Sequence, residues 1–161
     1  MSENKTVMFA PNLVCIGIDA YENGDFSGRA WQPYSNEPIA FEGLIDLFLQ
    51  MDELFDKWEF PQRAQKIRTF AKNDEGNKDE KNLINDKKKR NTTLQDNRGK
   101  KDTFIIQVQY RQNSTWQGQV VWAEQNKKEH FRSALELMKL IDSATASAKS
   151  DEEQQDQDQI V

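Results

Sequence analysis

The sequence predicts an α+β fold in which one four-stranded antiparallel sheet carries two helices on a single face, forming a two-layer sandwich. Two stretches alternate apolar and polar residues in strand–turn–strand order, and each is followed by an apolar stripe at helical spacing. The two stretches also match without a gap at an offset of 90 residues, the separation of Gly28 and Gly118. We therefore predict a tandem duplication of a ββα unit, over about residues 12–58 and 102–143.

The duplication is inferred from residues that recur at this offset. The identical pairs are Ile16 and Ile106, Asn23 and Asn113, Gly28 and Gly118, Asn36 and Asn126, Phe41 and Phe131, Leu47 and Leu137, and Asp52 and Asp142. A hairpin with one helix buries little apolar surface by itself. The two units are therefore expected to share one sheet, with their helices side by side and related by an approximate two-fold axis.

The strands are predicted from period-two alternation. In "FIIQVQYR", residues 104–111, one face receives Phe104, Ile106, Val108 and Tyr110 and the other receives Ile105, Gln107, Gln109 and Arg111. Hairpin turns follow at residues 112–115 and, with an Asn-Gly pair, at residues 22–25. In the return strands an aromatic at 26 and 116 precedes Gly28 and Gly118, where we expect a helix or an aromatic ring to approach the backbone.

The helices are predicted from apolar side chains spaced three and four residues apart. Ser35-Asn36-Glu37-Pro38 is a start signal, and the first apolar face then runs from Phe41 to Trp58. The second helix is expected to begin at about Lys127, with an inward face from Phe131 to Ile141. Residues 59–71 fit either a short helix or a connecting strand.

The polar parts of the chain are predicted to lie outside this core. Residues 72–102 carry ten basic and seven acidic groups and no aromatic residue. Such a composition favours a flexible charged insert. We predict one domain over residues 1–149, interrupted by this insert and followed by a disordered acidic tail, residues 150–161.

Two helices on one face leave the other face of the sheet open for a partner. Its predicted partner-binding residues are Arg29, Trp31, Gln107, Gln109, Arg111, Gln117 and Gln119. Trp31 is the expected anchor of this surface, since exposed aromatic side chains often dominate interfaces. Trp116, which matches Phe26 of the first unit, is expected to be buried against the helices.

Both units resemble an uncharacterised family of small bacterial proteins. The resemblance is carried by "SGRAWQPYSNEPIAF" in the first unit and by "FIIQVQYRQNSTWQGQVVW" with "FRSALELMKLIDSA" in the second. Some short relatives, which contain only a segment like the second unit, are labelled RNA-binding. The resemblance implies a family but no defined activity.

Enzymatic function is the least favoured class. His130, the single histidine, lies near a predicted helix start, and the single cysteine, Cys15, occupies a strand position matched by Ile105. No nucleophile, phosphate-loop or metal-ligand motif is present, so no cofactor or metal is expected. The acidic side chains Asp46, Asp52, Glu53 and Asp56 are interpreted as the solvated helix face. The N-terminal stretch lacks a signal-peptide pattern, and a cytoplasmic location is expected.

Two classes of function remain. The first is an interaction or regulatory adaptor module that binds a protein partner, or a second copy, through the open sheet face. The alternative is a nucleic-acid-binding protein, with RNA as the expected partner, that uses this face and the basic insert. The basic residues proposed for that role are Lys87, Lys88, Lys89, Arg90, Arg98, Lys100 and Lys101. Neither class involves a membrane, and the oligomeric state stays open.

Overall fold

The computed structural model describes residues 10–22, 24–63, 70, 94–112 and 115–145. The described residues form one antiparallel sheet in the order β3-β2-β1-β4-β5-β6. The strands are β1 (Leu13–Glu22), β2 (Asp25–Trp31), β3 (Ile39–Glu42), β4 (Asp102–Tyr110), β5 (Gln117–Trp122) and β6 (Lys127–Phe131). Helix α1 (Leu44–Trp58) and helix α2, residues 134–145, contribute to one core on the same face of the sheet.

The α+β class and the antiparallel sheet agree with the sequence prediction, but the sheet has six strands and not four. The two additional strands are β3 and β6, which lie at the two edges and were assigned to the starts of the helices. Phe41 in β3 and Phe131 in β6 are buried, and each lies three residues before the first residue of a helix. Because a spacing of three residues also fits a helix, the apolar pattern of these short edge strands cannot be distinguished from the first turn of the helix that follows.

Each helix begins where a side chain of the preceding hairpin accepts a hydrogen bond from the first backbone N–H group of the helix. The carboxylate Oδ1 of Asp25 accepts from the backbone nitrogen of Leu44 at 3.1 Å. The hydroxyl oxygen of Thr115 accepts from the backbone nitrogen of Ala134 at 3.3 Å. The start predicted at Ser35–Pro38 is wrong: Ser35 instead accepts from the backbone nitrogen of Glu37 in a local turn.

The pairing of the strands repeats at an offset of 90 residues. Gly28 pairs with Phe41, and Gly118 pairs with Phe131. A bulge interrupts the first hairpin between residues 18 and 20 and the second between residues 108 and 110. At the centre of the sheet Cys15 pairs with Ile105, its own counterpart at this offset. This is the register that a two-fold relation between the halves requires.

The bulge in β4 reverses the alternation that the sequence predicts there. Tyr110 was expected to point inward and Arg111 outward. The structure has Tyr110 57% exposed and Arg111 3% exposed. Because a bulge inserts one extra residue, the side chains that follow it move to the opposite face of the sheet.

The main core lies between the helices and the sheet. Trp116 is buried, as predicted, and its ring centroid lies 5.2 Å from that of Phe48 and 5.5 Å from that of Phe55. Helix α1 of the first half therefore packs on a strand end of the second half. No helix in the described part of the chain is long and apolar enough to cross a membrane.

Candidate nucleic-acid interface

The sheet face without helices has an apolar centre. Its buried side chains come from the four inner strands and are Leu13, Cys15, Trp31, Ile105 and Val121. Leu94 packs against them from outside the sheet and is itself buried. Trp31 is 8% exposed. The expectation that Trp31 is an exposed anchor on an open face is therefore wrong.

The segment that covers this centre is the C-terminal part of the predicted insert. After a 3-10 turn at Leu94–Asp96, the backbone nitrogen of Lys101 donates to the Ile18 carbonyl at 2.8 Å. The backbone nitrogen of Lys100 donates to the Asp19 carboxylate at 2.9 Å. Residues 94–102 are thus part of the fold, contrary to the prediction of a flexible insert over residues 72–102. The rest of that prediction, for residues 72–93, lies outside the described residues.

Two glycines allow this segment to approach the sheet. A Cβ atom on Gly17 would lie 2.7 Å from the Cα of Gly99 and 2.8 Å from the ring of Trp31. A Cβ atom on Gly99 would lie 2.5 Å from the backbone nitrogen of Ile18. The counterpart of Gly17 in the second half is Gln107. A chain segment can therefore approach the sheet this closely over β1, but not over the equivalent part of β4.

The covering segment carries basic side chains into solvent. Arg98, Lys100 and Lys101 are all exposed. Arg98 is oriented by its guanidinium Nη1, which donates to the carbonyl oxygens of Gln95 at 2.5 Å and Asn97 at 2.8 Å. The other proposed basic residues, Lys87, Lys88, Lys89 and Arg90, lie outside the described residues.

Strand β6 adds further polar side chains at the far edge of this face. Lys128 pairs with Val121, and His130 pairs with Gln119. Since paired residues point to the same side of a sheet, Lys128 and His130 lie on the face without helices. Both are exposed. His130 is therefore an edge-strand residue and does not lie at a helix start.

Arg29 is held in an ion pair beside the buried tryptophan. Its Nε donates to the Asp19 carboxylate at 2.9 Å, and its guanidinium carbon lies 4.9 Å from the ring centroid of Trp31. Burial tends to raise the pKa of Asp19, but the hydrogen bonds from Arg29 and Lys100 outweigh it, so that the pKa is lowered. Arg29 is half-exposed and already neutralised by Asp19.

The glutamines predicted for this face are half-buried. The Gln119 amide nitrogen donates to the Gln107 side-chain oxygen at 3.4 Å. The side-chain oxygen of Gln119 is buried, and none of the described residues donates a hydrogen bond to it. Gln117 exchanges two hydrogen bonds with the backbone of Gln112, and Gln109 lies in the bulge. Gln107 and Gln119 are thus the pair that belongs to the centre of this face.

Arg111 belongs to the opposite side of the sheet and is not part of this surface. Its Nε donates to the Pro61 carbonyl at 2.7 Å, and its Nη1 donates to Asp56 at 2.7 Å and Asp52 at 3.3 Å. Arg63 donates to the same two carboxylates, at 2.5 Å and 2.9 Å. Two residues of the acidic cluster that was interpreted as a solvated face therefore form an ion-pair network.

The cysteine is part of the buried centre. Its Sγ lies 3.6 Å from the Asn97 carbonyl oxygen, to which the thiol donates. Burial raises the pKa of the Cys15 thiol to about 12, which keeps it protonated at neutral pH. Among the described residues no group of three or more His, Cys, Asp or Glu side chains is placed to hold a metal ion.

Sequence reasoning missed Leu94 and Gly99, whose packing against the sheet helps to hold the covering segment in place. A single leucine and a single glycine within a charged stretch carry no periodic pattern. Comparisons of the chain with protein-family models, with curated proteins and with solved structures found no match. The resemblance to small bacterial proteins therefore stays a prediction.

Proposed function

We propose that the protein binds nucleic acid, with single-stranded RNA as the preferred partner, through the basic segment 87–101. The observation that carries this proposal is the attachment of the end of that segment to the sheet by Leu94 and Gly99. Residues 87–101 contain seven basic side chains and one acidic one. A cationic segment fixed to a folded surface can follow a phosphate backbone.

The distribution of charge supports one orientation for the bound polyanion. Helix α1 carries four acidic side chains and one basic side chain, Lys57, on the layer opposite this face. Lys100, Lys101 and Lys128 lie on the other side or at its edge. Because Asp52 and Asp56 of α1 are already paired with Arg63 and Arg111, the orientation rests mainly on the attraction of a phosphate backbone to the lysines of the sheet face.

The glutamine pair supports a single-stranded partner. Gln107 and Gln119 are half-buried partners on neighbouring strands of this face, and an amide side chain can both donate to and accept from the edge of an unpaired base. In double-stranded RNA these edges lie within a groove that side chains enter poorly. Preference for a single strand is thus part of the proposal.

The test is a salt series of fluorescence anisotropy with labelled single-stranded RNA and a duplex DNA of the same length. We expect stronger binding of RNA and a loss of affinity as salt rises. Replacement of Arg98, Lys100 and Lys101 by Gln should reduce the salt slope by about 2, since each single-strand phosphate contact contributes about 0.7.

The matched control replaces three exposed basic residues outside the face, Lys57, Arg132 and Lys139, by Gln. This variant has the same net charge as the first but should bind as the wild type does. Equal losses in both variants would mean that only net charge matters, and no binding at low salt would reject the proposal.

A protein-interaction or adaptor role is the second candidate, on a surface different from the one that the sequence indicated. Ile45, Leu49 and Leu135 are 70%, 63% and 60% exposed on the two helices. Ile45 and Leu135 are counterparts at the 90-residue offset. Exposed aliphatic side chains at equivalent sites favour a contact with a protein or a second copy. Sedimentation of the wild type and of an Ile45→Glu/Leu135→Glu variant tests this role. The wild type should self-associate, and the variant should not.

We also propose that the two halves arose by duplication. The repeated strand register, the repeated bulges and the equivalent helix starts at Asp25 and Thr115 support this origin. Each half then contributes three strands and a helix, and not the two strands of the predicted unit.

A further inference from the structure

A cavity of about 280 Å³ lies between the last turns of α2 and strands β4–β6. Phe104 and Trp122 line it from the sheet, and Ile141 and Ala144 line it from the helix. Two exposed side chains of β6, Lys127 and Glu129, supply charged groups to its outer part. The cavity is on the helix side of the sheet and is separate from the proposed nucleic-acid interface.

The cavity exists because α2 carries smaller side chains than α1 at equivalent positions. Ala144, which lines the cavity, stands where the first half has Leu54, and Ser143 stands where it has Glu53. The larger Phe104, which replaces Val14, fills only part of the space that these changes leave.

The aromatic wall of the cavity is fixed by contacts of its own. The Trp122 ring nitrogen donates to the Asp102 carboxylate at 3.1 Å, and its ring stacks on Phe104 with centroids 6.4 Å apart. Tyr21 donates to the same carboxylate. Because the Trp122 N–H is already paired, the ring offers an apolar surface to a ligand.

Lys127 places one positive charge beside the aromatic wall of the cavity. Its Nζ lies 6.0 Å from the centroid of the Trp122 ring. Among the described residues Lys127 has no carboxylate within ion-pair distance, and its side chain is exposed at the mouth of the cavity. Glu129 lies two residues further along the same strand, and its carboxylate repels an anion that binds at Lys127.

We propose that this cavity binds a small apolar carboxylate, with the apolar body between Trp122 and Ala144 and the carboxylate paired with Lys127. The volume is at the lower end of ligand pockets, which begin at about 300 Å³, and it therefore requires a compact body. The apolar lining supplies the affinity, and Lys127 selects the charge of the head group.

The test titrates 4-phenylbutyrate into the full chain by calorimetry, with 4-phenylbutanol as the uncharged match. Lys127→Gln should weaken binding of the carboxylate about three- to fivefold, the size of an exposed ion pair, and leave the alcohol unchanged. Glu129→Gln should strengthen binding of the carboxylate. Equal effects of Lys127→Gln on both ligands would overturn the role of Lys127.

A filling variant tests the position of the site. Ala144→Leu introduces the side chain that the first half has at the equivalent position, Leu54, and should abolish binding of both ligands without lowering the melting temperature. If this variant fails to fold, the ligand can be located by tryptophan fluorescence instead. The wild type should change its emission when ligand is added, and Trp122→Phe should not. Undiminished binding in Ala144→Leu, or no binding by the wild type at millimolar ligand, would overturn the proposal.

Discussion

Gly28 and Gly118 each lie beneath a carbonyl oxygen of the neighbouring strand. A Cβ atom on Gly28 would be 1.9 Å from the Gly17 oxygen, and one on Gly118 would be 1.9 Å from the Gln107 oxygen. Both positions adjoin the bulges of their hairpins. The closest neighbour at both positions is strand backbone, and the aromatic ring that the sequence indicated lies close only at Gly118, where Phe131 would be 3.0 Å from the added Cβ. The sequence therefore indicates that glycine is needed at these positions. It does not indicate the backbone contact that requires it, because a bulge leaves no mark in the alternation of apolar and polar residues.

We expect Gly28→Ala or Gly118→Ala to destabilise the protein by about 3 kcal/mol or more, since the backbone must separate to admit the methyl group. Urea denaturation at neutral pH measures the change. Gly24→Ala is the control: Gly24 has φ of 76°, and apart from its own chain neighbours none of the described residues has an atom within 4 Å of the added Cβ. It should cost only about 1 kcal/mol, the cost of a left-handed conformation. Equal costs at all three positions would contradict the steric account.

At the scale of elements, α1 is fixed to the second half by the Arg111 network. Arg111 joins the helix, through Asp52 and Asp56, to the end of β4 and to the Pro61 carbonyl. Its guanidinium carbon also lies 5.9 Å from the Phe55 ring centroid. This single side chain therefore joins the end of β4 to α1 and to the turn that follows α1, which lie more than 50 residues earlier in the chain.

Arg111→Leu should cost about 2 kcal/mol, less than loss of a fully buried pair, because Asp56 is half-exposed and Arg63 still donates to both carboxylates. Arg132→Leu is the control, since Arg132 forms only an exposed pair with Glu136. That variant should unfold at the same urea concentration as the wild type. Equal behaviour of the two variants would show that the network does not hold α1.

Strands β2, β4 and β5 and both helices could be predicted from the sequence, because each has a clear period over about seven residues or more, and β1 could be predicted from its match to β4 at the 90-residue offset. The edge strands β3 and β6 could not, since four or five residues, such as "KKEHF" with one buried side chain, give no alternating pattern. The covering of Trp31 was also missed. The correct face for Trp31 follows from alternation, but its burial depends on Leu94, more than sixty residues away along the chain.

At the scale of the molecule, the two halves meet at β1 and β4. The pair Cys15–Ile105 stands at the centre, and residues on either side pair symmetrically about it. Neither half has a complete core, since Phe55 of one packs on Trp116 of the other. The halves therefore stabilise each other as two subunits of a dimer would.

This relation predicts that the second half can pair with a second copy of itself. In such a dimer of residues 100–161, β4 would pair with β4, and Ile105 would face Ile105 as it now faces Cys15. The fragment begins after Gly99, because Gly99 requires the bare backbone of Gly17, and the second half has Gln107 there. Asp142 would then replace Asp52 beside Arg111, while Thr145 would replace Phe55 beside Trp116.

We expect this fragment to fold only as a dimer, with weaker association than the intact chain has between its halves, since the aromatic contact is lost. Its circular dichroism should therefore depend on concentration, and sedimentation should show monomer and dimer in exchange. The Trp116→Ala fragment is the control and should not dimerise, because the ring at the junction is absent. A fragment that folds as a monomer, or that stays unfolded at every concentration, would contradict the two-fold relation as a source of stability.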